Sequence, residues 1–302
     1  MAKKSAQAGA TKNHTLVQIG LLVGGACALL FGLVLLRNLS REGVRDQDRF
    51  TVAFADIACE PPPESIDLKT FLAEVQYISG YPDRLALLEE NLASRLAAAF
   101  ARHPCVERVE RLEVLPERRV LVRLVYRVPV LAVVIHDSNQ QEPAGQVEIP
   151  ANPPQSGVRL MPARAVDAHA VLLPVTAALA TLPVLVGDFA EPRGAGTTWA
   201  DPAVRSAART AEFLRPHCDR VRFATFEMNA GSLTLKTPAG SRVLWGRAPG
   251  MEQAGEALAT EKLDRLLHYC DKNGSLDKPE CCYEHDVRSR DKATLERISA
   301  GI

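Results

Sequence analysis

Between Thr15 and Leu36 the chain carries no charged residue. The run reads TLVQIGLLVGGACALLFGLVLL, with Gln18 as its main polar interruption. As a helix these residues would extend about 33 Å, against a hydrocarbon core about 30 Å thick. A stretch this long and apolar is predicted to span a bilayer. A cleaved signal peptide has a shorter apolar core, about 7–15 residues, followed by a small-residue cleavage site. Neither feature is present. Gly25-Ala26-Cys27 partly matches a lipoprotein cleavage site, but Gly24 stands where a branched apolar residue is usual. Cleavage there would also leave Ala28 to Leu36 on the mature chain. The segment therefore reads as an uncleaved anchor.

Lys3, Lys4 and Lys12 precede the anchor with no acidic residue among them; Arg37, Arg41, Arg45 and Arg49 follow it. Counting Lys and Arg alone does not favour a cytoplasmic N-terminus. The short acid-free tail does favour it, as does the weak influence of charge on translocating a long domain. The expected order is a cytoplasmic tail over 1–14, a transmembrane helix over 15–36, a charged stalk over 37–48 and an exported remainder. Gly20, Gly24, Ala28 and Gly32 recur every fourth residue. On a helix they form one smooth stripe, a candidate packing seam for a second membrane helix.

The 36 basic and 36 acidic residues give no net charge. A nucleic-acid binder would carry a basic excess or stripe. No GxSxG, HExxH or GxxxxGK[ST] pattern is present, so no hydrolase, metalloprotease or phosphate-cradling motif points to catalysis. The residues suggest no catalytic group, cofactor or small-molecule substrate. Cys27 lies in the anchor; Cys59, Cys105, Cys218, Cys270, Cys281 and Cys282 lie beyond it. They read either as buried free thiols or as disulfides in an oxidising compartment. His268, Cys270, Cys281, Cys282 and His285 form the one candidate metal cluster. Its H-x-C-x10-C-C-x2-H spacing is unusual for zinc, and a bridge from Cys270 to Cys281 or Cys282 accounts for the same cysteines more simply.

The rest of the chain reads as α+β. Over 49–129, Phe50, Val52 and Phe54 alternate as on a half-buried strand. Asp67 is placed to cap a helix on which Leu68, Phe71, Leu72 and Val75 share a face. Gly80-Tyr81-Pro82 breaks it, and Leu85, Leu88, Leu92, Leu96 and Phe100 predict a second helix reaching about Arg102. Strands are expected near 106–114 and 119–128. Strand, helix, helix, strand, strand is satisfied by one three-stranded sheet with both helices on one face.

Over 130–302 a second, mostly antiparallel β domain with flanking helices is expected. Val130 to Ile135 reads as a buried strand, and 136–157 as a surface loop. Asp201-Pro202 is a cap and first-turn pair opening a helix. Strands follow at about 221–228, 232–237 and 241–246, then an amphipathic helix from Glu256 to Tyr269.

Several of these stretches carry a family resemblance. The β-α-α-β-β order resembles a POTRA domain of bacterial envelope proteins. His103-Pro104-Cys105-Val106-Glu107-Arg108-Val109 resembles that family's step from helix to strand, with Cys105 where an aromatic is usual. Tyr126 to Ala132, YRVPVLA, is similar to its strand end. Val166 to Pro174, Leu182 to Gly187, Leu233 to Gly246 and His285 to Arg288 resemble, in order, the second-domain motifs of FtsQ/DivIB cell-division proteins; Ala170 stands where glycine is usual. A membrane helix directly before such a module is that family's layout.

The resemblance implies a single-pass protein of the bacterial inner membrane, with its bulk outside the cytoplasm. It implies recruitment of other bitopic division proteins by strand pairing at the end of the second module, carried over to Asp286, Val287, Arg288, Ser289 and the residues just after. The alternative is another POTRA-type envelope protein acting in transport or secretion, or an unrelated membrane-anchored enzyme or metal-binding protein.

Overall fold

The computed structural model describes residues 24–25, 28–33, 50–63, 66–135, 145–150, 158–174, 177, 179–187, 189–190, 192–276, 282–291 and 294–298. The tail over 1–14, the stalk over 37–48 and most of the expected span 15–36 lie outside these residues. Among the described residues no helix is long and apolar enough to cross a membrane. The described positions of that span, 24–25 and 28–33, are helical and exposed.

The protein is a mixed α+β fold with two principal hydrophobic clusters. The first is built by β1 (Thr51–Ala53), β2 (Ala58–Cys59), α1 (Leu68–Ser79), β3 (Arg84–Ala86), α2 (Leu92–Ala101), β4 (Val106–Leu115) and β5 (Arg119–Tyr126). Its three-stranded sheet has the order β2-β5-β4, with β2 parallel and β4 antiparallel to β5. Alternation along β5 sends Val120, Val122 and Leu124 inward, where they meet Phe71, Val75, Leu96 and Phe100 of the helices. Asp67 caps α1 by accepting from the amides of Lys69 and Thr70. Gly80, at φ 68°, ends that helix in the left-handed conformation that glycine adopts without a Cβ clash.

Two expectations fail in this module. The strand expected at Phe50 to Phe54 does not join the three-stranded sheet: β1 pairs with β3 in a separate two-stranded sheet, and β2 takes the place beside β5. The Leu85-Leu88-Leu92 spacing does not belong to a single helix. Leu85 sits on β3 opposite Val52 of β1, and the helix begins only at Leu92. Both leucines reach the same core by different routes, so their spacing imitates a helical stripe.

The second cluster is organised on a nine-stranded sheet. Its strands are β6 (Leu131–Val134), β7 (Gly145–Pro150), β8 (Val158–Val166), β9 (Val184–Val186), β10 (Thr225–Asn229), β11 (Ser232–Lys236), β12 (Arg242–Gly246), β13 (Cys282–Asp286) and β14 (Thr294–Ile298). The order is β14-β13-β12-β11-β10-β9-β6-β8-β7. Pairings are mixed: β6 with β9, β9 with β10, and β12 with β13 are parallel. The expected loop over 136–157 is instead crossed by β7, which pairs with β8.

Strand β6 is buried on both faces, as its unbroken apolar run requires. Leu131 and Val133 face the main core, whereas Ala132 and Val134 pack with Ala163 and Val184 on the other side. The main core is closed by α3 (Pro202–Leu214), capped by Asp201, and by α4 (Ala259–Asn273). Val204, Ala207, Ala208, Leu263 and Leu266 from these helices meet Phe226, Leu235, Val243 and Trp245 of the sheet.

Candidate partner-binding edge

A sheet rim exposes backbone N–H and C=O groups that another strand can pair with, and most proteins blunt such rims with charge, bulges or proline. In the first module β4 is blunted. Its sequence is VERVERLEVL, its pairing with β5 slips at two places, and Arg108 is paired with Glu107 and Glu110. On the nine-stranded sheet, β7 ends at Pro150, which has no amide hydrogen.

Strand β14 is different. It pairs with β13 alone, from Cys282↔Ile298 through His285↔Leu295 to Asp286↔Thr294. Its outer side is open among the described residues, and it places Leu295, 49% exposed, on that rim. Opposed residues share a face, so Leu295 stands on the same side as His285 and, one strand further, Val243 of the core. Thr294 and Glu296 face the other side. Among the described residues the rim is therefore short, open and mixed in character, with Leu295 standing between polar side chains.

The strand beneath it is packed against α4. His285 is buried and lies edge-on to Tyr269 of α4, with ring centroids 4.5 Å apart. Burial holds its imidazole down to a pKa of about 4, so it is neutral in ordinary buffers. The Asp286 carboxylate accepts from the Arg288 guanidinium at 2.6 and 2.9 Å, and this pairing holds it below its ordinary pKa.

The four residues assigned to partner binding from sequence fall just behind this rim. Asp286 lies between Leu244 of β12 and Thr294 of β14. Val287 is buried, and its amide donates to Leu244. Arg288 turns back on Asp286, and Ser289 bridges to Glu256. The open strand is 294–298 instead. Leu295 and Arg297 were missed because a five-residue strand exposed along its described side chains leaves no alternating apolar signal.

Of the candidate packing seam, Gly24, Ala28 and Gly32 are helical and exposed, and nothing approaches the Cβ positions of Gly24 or Gly32. Gly20 lies outside the described residues. Leu29, Leu30, Phe31 and Leu33 are each more than 60% exposed.

The metal cluster is not assembled. The Cys270 thiol faces the Arg220 carbonyl, the Cys282 thiol faces the Ala239 carbonyl, and His268 is exposed. Cys281 lies outside the described residues. Among the described residues no group of three His, Cys, Asp or Glu could hold a metal ion. Cys59, Cys105, Cys218, Cys270 and Cys282 are free thiols, which removes a Cys270–Cys282 bridge. No protein-family model matches the chain, and no curated protein matches it, so the reading of this edge rests on its own residues.

Proposed function

We propose that this protein is a single-pass membrane scaffold of the FtsQ/DivIB type. In this reading it recruits other bitopic division proteins outside the bacterial inner membrane by pairing a partner strand with β14. The observation that carries the proposal is the open β14 rim bearing Leu295, in a molecule whose β4 rim is charged and bulged and whose β7 rim ends at Pro150. Backbone pairing would supply affinity, and alternate side chains along the rim would supply selectivity. The work is recognition rather than catalysis.

Two further features support the reading. The apolar helical residues Leu29, Leu30, Phe31 and Leu33 are each more than 60% exposed among the described residues, as the lipid-facing side chains of an anchor would be. Ala170, where the resembling family has glycine, takes φ 57°, the left-handed conformation that glycine adopts most readily.

Fluorescent-fusion imaging combined with external proteolysis tests the proposal. A midcell band in dividing cells, with the bulk of the chain digested by protease added outside the inner membrane, is expected. Uniform envelope fluorescence would instead favour a transport or secretion adaptor, and a protected C-terminal bulk would contradict the proposed topology.

A further inference from the structure

The connection from β13 to β14 spans residues 287–293. A tight two-residue hairpin fixes strand register through its own turn; a connection this long does not. Its described part is instead bonded to the segment that forms α4. The Arg265 guanidinium donates to the carbonyls of Val287 (3.2 Å), Ser289 (2.6 Å) and Arg290 (2.8 Å). The intervening carbonyl, that of Arg288, accepts from the Ala257 amide at 2.7 Å, and the Arg290 amide donates to Gly255 at 3.1 Å. Four successive carbonyls are thus satisfied from α4 and the loop leading into it.

Arg265 suits this task because a planar guanidinium presents several donors in one fixed fork. Among the described residues it makes no ion pair, so its charge is directed at these carbonyls. It stands on a helix anchored by Leu263 and Leu266 in the core. The helix start is fixed by Glu261 and Glu252, which accept from the amides of Leu258 and Ala259.

We infer that Arg265 is a positioning residue for the rim: it clamps the β13–β14 connection to α4 and so holds β14 in register on β13. Its importance for partner capture rests on the proposed strand-addition function, but the clamp itself does not. Hydrogen–deuterium exchange on the full chain in detergent tests it without a partner. Arg265→Gln is expected to speed exchange of the 294–298 amides about tenfold or more, the scale of losing a charge-assisted hydrogen bond. The 225–246 amides should keep their wild-type rates. Arg265→Lys keeps the charge but loses the fork, and should fall between the two. Wild-type exchange at 294–298 in Arg265→Gln, or an equal rise across 225–246, would overturn the inference. Failure of a partner to engage the wild-type rim would count against the proposed function and leave this result standing.

Discussion

Arg127 and Asp167 meet across the junction of the two modules, Nη1 donating to Oδ2 over 2.6 Å. The other Asp167 oxygen accepts from the amides of His169 and Val171. The Arg127 amide donates to the Cys105 carbonyl within the first module. The Gly196 loop rests against Pro104. One buried carboxylate therefore ties the end of β5 to the turn after β8, and orients the first module on the second.

Asp167→Ala should accordingly be costly. It strands a guanidinium that is largely buried and two amides, a loss of about 3–5 kcal/mol. Asp167→Asn keeps an acceptor for those amides and should lose less. Urea unfolding of the full chain in detergent, comparing the two variants, measures the difference.

A second buried pair lies under β12. Lys262 is fully buried, donates to Glu256 at 2.6 Å and stands 5.3 Å from the Trp245 ring centre. Burial alone would raise the Glu256 carboxyl. The Lys262 bond and the Gln253 and Arg247 amides more than offset it, leaving the group below its ordinary value. Lys262→Met should cost about 3–5 kcal/mol by leaving a buried carboxylate without its cation. Adding Glu256→Gln should recover part of that loss. Because the folded carboxyl is depressed, its contribution is present above the ordinary carboxylate range, about pH 4.3, and disappears as pH falls through the folded value. The acid limb of a stability curve should therefore be shallower in Lys262→Met.

Gly246 is constrained by the same pair. Its φ is 89°, and a Cβ there would strike the Glu256 carboxylate and crowd Arg288. Gly246→Ala combines backbone strain with displacement of a buried ion pair, and should lower thermal stability by more than about 2 kcal/mol. Gly255→Ala is the control: φ is also positive there, but nothing lies within 4 Å of the added methyl.

His285 gives a second pH dependence, in a separate window. The unfolded imidazole takes up a proton near pH 6.5, whereas the folded one resists until about 4 because it is buried. Between those values the unfolded state binds more protons, so stability falls as pH falls from 6.5 towards 4. His285→Phe should flatten that stretch. An unchanged slope in denaturant titrations at several pH values would place the proton uptake elsewhere.

Much of this architecture was legible. Asp67 and Asp201-Pro202 marked helix starts that the structure places within a residue, because caps act locally. The β10 to β12 meander followed from alternation and from Pro238-Ala239-Gly240. What escaped depends on distant partners. The parallel pairings of β6, β9 and β10 join segments far apart in the chain. Leu85 serves a strand while keeping helical spacing with Leu92. At the candidate site, the Asp286 to Ser289 stretch lies on β13 and the connection after it, beside the open strand β14. β14 itself carried no alternating apolar signal, because its described side chains, Thr294 to Arg297, are all exposed. Arg265 carried no signal, since its partners are backbone carbonyls.

The most direct measurement is photo-crosslinking in dividing cells. A photoreactive residue is placed in turn at Leu295, Glu296 and Arg297 of β14, and at Glu110 of β4 as the comparison. The account predicts a crosslinked bitopic division protein from the β14 positions and none from β4, with the β14 products lost when proline is placed at a neighbouring rim position. No product from any β14 position, or equal products from both rims, would contradict it.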